Sequence, residues 1–205
     1  MNDKSVSLSR KEREREQHRC EIIEAAVRLF STHGYHSVSM QQIAAEAEFA
    51  TGTLYKFFPS KVALYREIML GVVDDITSEL RPVLAQDKDE KTMILEFLYA
   101  RRAAFMKRIE YVKLYNMVGN GFGSSGDDVV DAVIAERRKE VDQKLHAYFV
   151  SGIEKGLFKP VNVEVLVRLL QDFSQAIIRN EALHGEFDDD DLAAIDDVLF
   201  HGILA

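Results

Sequence analysis

Residues 39–61 read Ser39-Met-Gln-Gln-Ile-Ala-Ala-Glu-Ala-Glu-Phe-Ala-Thr-Gly-Thr-Leu-Tyr-Lys-Phe-Phe-Pro-Ser-Lys61. Ser39 suits a helix N-cap, because its side-chain oxygen can accept from a free backbone N–H of the first turn. Gln42, three residues on, completes a capping box. Ile43, Ala44 and Ala47 fall on one face of the short helix that starts there, with Gln41, Gln42, Glu46 and Glu48 elsewhere. A tight turn is expected at Glu48 and Phe49, and such a turn needs a residue of positive φ. A second short helix follows over about 50–57, buried through Leu54, Phe57 and Phe58. Pro59 ends it, since proline lacks the N–H and disfavours helix in the residue before it, and Ser60 can cap the next. Two short helices joined by a tight turn, the second presenting Thr51, Thr53, Tyr55 and Lys56 outward, describe a helix-turn-helix over about 39–58.

Those outward groups suit DNA: lysine offers charge to phosphates, and hydroxyls bond to phosphates or base edges. The run resembles the TetR family of bacterial transcription regulators. Gly52, Thr53, Leu54, Tyr55, Phe58 and Lys61 match the Gly-Thr-Leu-Tyr-x-x-Phe-x-x-Lys pattern that ends that family's recognition helix. Upstream, Ile22 to Gly34, with Ala25, Ala26, Leu29 and Phe30, resembles its first helix and glycine stop. Two positions depart from the pattern, Glu48 where the turn is commonly glycine and Ala50 where serine commonly opens the recognition helix. The resemblance implies an all-α fold with a three-helix, helix-turn-helix head (1–60) and a helical ligand-binding and dimerisation body (61–205). It implies a sequence-specific regulator, a repressor released from a palindromic double-stranded operator by a small hydrophobic effector, or an activator of the same family. DNA contacts are then expected from Ser39, Gln41, Gln42, Thr51, Thr53, Tyr55, Lys56 and Lys61.

Charge is distributed to match. The net charge is −8, yet residues 1–66 carry ten Lys/Arg against eight Asp/Glu, while the remainder carries sixteen against twenty-six. A duplex would therefore meet the mildly basic head rather than the acidic body. No apolar run approaches the roughly 20 residues of a membrane span, and the polar N-terminus is unlike a signal peptide. The single cysteine, Cys20, cannot form an internal disulfide. These features predict a cytoplasmic protein with no membrane partner.

The first nine residues lack periodicity and are expected to be disordered. Arg10 to Arg19 alternates charge, as in a solvated helix extension held by i,i+4 pairs. A sharper alternative is an arm whose Arg10, Lys11 or Arg13 reaches a minor groove. Beyond the head, helices are expected over 60–84 (stripe Leu64, Ile68, Val72, Ile76), 92–107 (Leu95, Leu98, Arg102, Phe105), 109–118, 128–155, 163–184 and 190–200. Helix 60–84 would be the lever between head and body. Aromatic and methionine richness places a candidate pocket among Phe97, Phe105, Tyr111, Leu114, Tyr115, Met117 and Val133. The last two helices carry more apolar surface than one body can bury. With the family's pairing of its last two helices, they point to a homodimer through Leu166, Leu169, Leu170, Phe173, Ile177, Leu192, Ile195 and Leu199.

Gly121, Gly123 and Gly126 spell a Gly-x-Gly-x-x-Gly, the pattern of a dinucleotide-binding turn. No βαβ unit surrounds it, and Asp127 and Asp128 read better as caps of the following helix, so the expectation is a linker rather than an enzyme's cofactor loop. His184, Glu181, Glu186 and Asp188 to Asp191 match no metal-ligand spacing. No metal, cofactor or catalytic constellation is expected.

Overall fold

The helix that opens the described chain, α1 (Arg10–His33), is capped by Ser9 and Glu12 in a reciprocal box. The computed structural model describes residues 9–86, 88–119 and 126–185, and the chain falls into two compact units, Met1–Ile68 and Met69–Ala205. The described residues form eight α-helices and the fold is all-α: α1, α2 (Met40–Glu46), α3 (Thr51–Phe57), α4 (Lys61–Leu84), α5 (Glu90–Met106), α6 (Ile109–Val118), α7 (Asp128–Glu154) and α8 (Val163–His184). The expectations for residues 1–8, for Gly121 and Gly123, and for a helix over 190–200 lie outside the described residues.

In the first unit, Arg10 to Arg19 is the start of α1 rather than a separate arm, with Arg10 pairing with Glu14 at 2.8 Å. Cys20 on this helix is exposed. Helices α2 and α3 have seven residues each, too short to persist alone in water. They hold by burial: Ile43 and Leu54 are fully buried, as are Ile22, Ala25, Ala26 and Phe30 of α1, with α2 packed against both α1 and α3. Tyr35 joins this core, its ring lying 5.1 Å from Phe30 and 5.3 Å from Tyr65.

The turn between α2 and α3 has the expected geometry. Glu48 has φ +58°, the only positive φ at a non-glycine among the described residues. The Phe49 N–H bonds to the Ala44 carbonyl and the Glu48 N–H to the Ala45 carbonyl, which is a Schellman closure with glutamate in the left-handed position.

In the second unit, Val72, Ile76 and Leu80 of α4 pack with Phe97 and Leu98 of α5, Leu145 and Phe149 of α7, and Leu166 and Leu170 of α8. The buried stripe of α5 is Met93, Ile94, Phe97, Leu98, Arg101 and Ala104; Leu98 is buried as expected, while Leu95, Arg102 and Phe105 each lie one position beyond a buried residue. Arg102 stands at its edge, paired to both oxygens of Glu181 at 2.8 and 2.7 Å. The carboxylate of Glu90, almost fully buried, accepts from Lys155 and Ser151 and joins α5 to α7. Asp127 caps α7, accepting from Val129 and Val130 N–H groups at 3.0 and 3.1 Å, as read from sequence. Near the other end of α7, Gly152 is buried directly against the Phe158 ring.

Two outcomes follow from this packing. A methyl at Gly152 would run into the Phe158 ring; overpacking of this kind costs about 1–3 kcal/mol. Gly152→Ala should lower the melting temperature by roughly 2–10 °C in a chain of this length. An unchanged transition would mean that Phe158 has another seat. Glu48→Gly should raise the melting temperature by about 1–4 °C, because the left-handed cost of about 1–2 kcal/mol exceeds the backbone entropy glycine adds. The Glu48 side chain is exposed and makes no hydrogen bond or ion pair among the described residues. A lower melting temperature would show a role for its side chain that outweighs the turn strain.

Candidate nucleic-acid interface and effector cavity

Helix α3 buries one residue, Leu54, and turns its remaining surface outward. Tyr55 is 45% exposed, Lys56 is exposed, and Thr51 and Thr53 are half-buried. None of these four side chains has a hydrogen bond or ion pair to another described residue. This is a row of two hydroxyls, a phenol and an ammonium at hand for a partner. Gly52 sits among them, exposed and with nothing within 4 Å of the position its Cβ would take. Glycine inside a helix costs about 0.5–1 kcal/mol relative to alanine, and no packing among the described residues calls for it. A bare notch there admits the close approach of another backbone.

The other residues read as DNA contacts are placed differently. Gln41 on α2 is exposed. Ser39 and Gln42 are turned on each other: the Ser39 hydroxyl accepts from the Gln42 N–H, and Gln42 Oε1 accepts from both the N–H and hydroxyl of Ser39. Their side chains serve the capping box of α2. Lys61 departs most from expectation. Its Nζ donates to the carbonyls of Tyr35 at 2.9 Å, His36 at 3.4 Å and Val38 at 2.8 Å, and it lies 4.5 Å from the Tyr35 ring centroid. An ammonium has three N–H donors, so these carbonyls use the groups that a phosphate would need. Partial burial also pushes its pKa below the usual lysine value.

Sequence reasoning missed the part α1 takes in this surface. His18 stacks edge-on against Phe49 at 5.0 Å and Phe57 at 6.4 Å, Arg15 lies 5.9 Å over Phe57, and Arg19 lies 5.2 Å over Phe58 while pairing with Glu67. The signal was present, since residues 15, 18 and 19 continue the helical face of Ile22, Ala25 and Ala26 backwards.

The second unit holds a cavity of about 220 Å³. Of the residues expected to line a pocket, Phe97, Phe105, Tyr111 and Tyr115 do so. Leu114 is fully buried away from it, Met117 is exposed, and Val133 cedes its place to the next residue, Ile134. Helix α4 supplies a wall that was not anticipated, through Met69, Val72, Val73, Ile76, Thr77 and Leu80. Its polar lining includes Arg101, Arg137, Arg138 and Arg179 with Gln171, Gln175 and Asn116. A more open cleft of about 610 Å³ between α7 and α8 is lined by charges of both signs, including Arg138, Asp142, Glu164 and Asp172, and lacks an apolar wall comparable to the cavity's.

Helix α8 divides the expected dimer residues. Leu166 and Leu170 are buried in the core of their own unit, and Ile177 packs against it. Leu169 and Phe173 are 59% and 49% exposed, in line with Val165 at 50%. Leu192, Ile195 and Leu199 lie outside the described residues.

Residues 22–68 match the sequence model described as bacterial regulatory proteins, tetR family. The chain belongs to the TetR family. TetR-family relatives extend over most of its length: the transcriptional repressor KstR2 of Rhodococcus jostii is 24% identical over 78% of this chain and 78% of its own. The transcriptional activator FasR of Mycolicibacterium smegmatis is 32% identical over 97 residues, covering 47% of this chain and 42% of FasR. The structure of the ketosteroid transcriptional regulator KstR2 of Mycobacterium tuberculosis superposes with a TM-score of 0.72 at 21% identity, covering 91% of this chain and 95% of that one, a likeness of fold. As a TetR-family protein, the chain is a DNA-binding transcriptional regulator, and these relatives are regulators rather than enzymes.

The two lysines of the head should separate cleanly. Lys61→Met leaves backbone carbonyls unpaired, at about 1–3 kcal/mol, and should lower the melting temperature while leaving the salt dependence of DNA binding unchanged. Lys56→Gln should leave stability alone and reduce the log–log salt slope by about one. A reduced slope for Lys61→Met would put its ammonium back at a phosphate. Gly52→Ala should stabilise the fold, with a rise of about 2–4 °C, and weaken operator binding. Undiminished binding would show that no DNA backbone enters the notch.

Proposed function

We propose that this TetR-family regulator is a homodimeric cytoplasmic repressor, not an enzyme, that leaves a near-palindromic operator when a small molecule fills the cavity of its second unit. The observation that carries this reading is the outward row Thr51, Thr53, Tyr55 and Lys56, unpaired within the described chain around an exposed glycine. Gln41 supports it from α2. Ser39, Gln42 and Lys61 act by holding α2 and the residues before it in place. Half-sites are expected about one helical turn, roughly 34–36 Å, apart or a small multiple of that.

Helix α4 carries the coupling. The residues that would touch a ligand and the ammonium that ties the 35–38 segment lie on the same helix, Lys61–Leu84. A ligand that binds the two states unequally shifts their populations, by about 1–3 kcal/mol in ordinary cases. The exposed α8 stripe of Val165, Leu169 and Phe173 is the dimer face.

Selecting sites from a random DNA pool with the purified protein should enrich a symmetric sequence, and Tyr55→Ala should weaken binding to it by about tenfold or more, a loss of about 1–3 kcal/mol. Failure to enrich any sequence would sink the regulator reading. Placed between a promoter and a reporter, the selected site should lower expression. Raised expression would make the protein an activator. Phe173→Glu should give a monomer in sedimentation. A variant that stays dimeric would move the interface to another face.

A further inference from the structure

The cavity has a charge pattern that an apolar guest does not explain. Four arginines line it, and no aspartate or glutamate does. Arg137 pairs with Asp74 and Glu140, and Arg138 with Asp172, so both cations have carboxylate neighbours. Arg101 differs. It is only 8% exposed, and every hydrogen-bond partner of its guanidinium is neutral: the Gln171 carbonyl and side chain, the Ser174 hydroxyl and the Gln175 side chain. Asp142 reaches it only at one remove, by accepting from the Gln171 amide at 2.8 Å. A buried charge without a counter-charge is unfavourable unless something supplies one. If the role of this side chain were only to tie α5 to α8, a neutral amide would do so without that penalty. The buried Nε of Arg137, another lining residue, has no acceptor among the described residues.

The rest of the lining is largely apolar: Val72, Ile76 and Leu80 of α4, Phe97 of α5 and Val141 of α7, with the Phe105 ring beside Arg101 itself. A guest that satisfies this lining has an apolar body and one anionic head. Guanidinium groups bind such heads in a planar, two-bond geometry, for a carboxylate or a phosphate alike.

We propose that the cavity takes an amphipathic anion, a single oxyanionic head group on an apolar body, with the head at Arg101 and the Nε of Arg137 adding a donor. This rests on the reading of the cavity as the effector site. Burial holds the Arg101 pKa down to about 10, with Arg138 acting in the same direction and Asp142 and Asp172 partly offsetting both, so the group is still cationic near neutrality.

The test is calorimetric titration of the full-length protein, without DNA, by straight-chain alkanoates from hexanoate to hexadecanoate below their aggregation limits. The matching alcohols, alkyl phosphates and alkylamines serve as comparison. At the best chain length, an anionic series should bind about tenfold or more tightly than the alcohol, since a hydrogen bond to a charged group contributes at least that much, and the amine should bind more weakly than the alcohol. Whichever anion is preferred assigns the head as carboxylate or phosphate. Arg101→Gln should abolish the acid-over-alcohol preference while leaving alcohol affinity unchanged, and Arg101→Lys should retain part of it. Should the glutamine variant fail to fold, the lysine variant and the wild-type series decide. Alcohols binding as tightly as both anions at every length, or a preference that survives Arg101→Gln, would overturn the assignment. Operator release is measured separately: an acid bound through Arg101 that leaves the operator occupied would count against effector control and not against the anion site.

Discussion

The head is assembled around one ammonium. Lys61, the first residue of α4, holds the carbonyls of Tyr35, His36 and Val38, and lies against the Tyr35 ring. Tyr35 in turn packs between Phe30 at the end of α1 and Tyr65 on α4, and Ser39 caps α2 immediately after Val38. One side chain therefore ties the segment between α1 and α2 to the start of α4. This matters because α2 and α3 contribute little helical stability of their own. Their shape is borrowed from neighbours, and the neighbours meet at this point.

The body handles its cations in two ways. Arg102 and Glu181 make a two-bond pair, each group satisfying the other at the edge of the core. Arg101, one residue earlier, is directed inward among neutral oxygens and aromatic rings, with Phe105 at 5.7 Å. The first arrangement is self-sufficient, and the second leaves a buried cation with no carboxylate bonded to it directly. A cavity of this kind trades stability of the empty protein for selectivity of what fills it.

Much of this architecture was legible in the residues. Helix limits followed from local chemistry: Ser39 with Gln42, Ser60 and Asp127 each acted within a few residues of itself. The strained turn could be placed because Glu48 stands where a left-handed residue is needed. What local chemistry could not show was which of two adjacent positions faces inward. On α5 a shift of one residue exchanged Arg102 for Arg101, and with it a surface ion pair for a buried cation. Likewise, the Lys61 motif reads the same whether the ammonium meets a phosphate or three carbonyls, because the carbonyls come from residues more than twenty positions away. On α8, Leu166 and Leu169 look alike in sequence, and only the packing of α4, α5 and α7 distinguishes the inner from the outer.

The position of Cys20 has a practical consequence. It is the one cysteine of the chain, and it stands exposed on α1, whose opposite face is locked into the head core through Ile22, Ala26 and Phe30. A thiol-specific spin label or fluorophore would attach at one site per chain without engineering, on a rigid element rather than a loop. Two such labels in an assembled pair would act as a molecular ruler, reporting the spacing of the reading heads with and without a guest in the cavity.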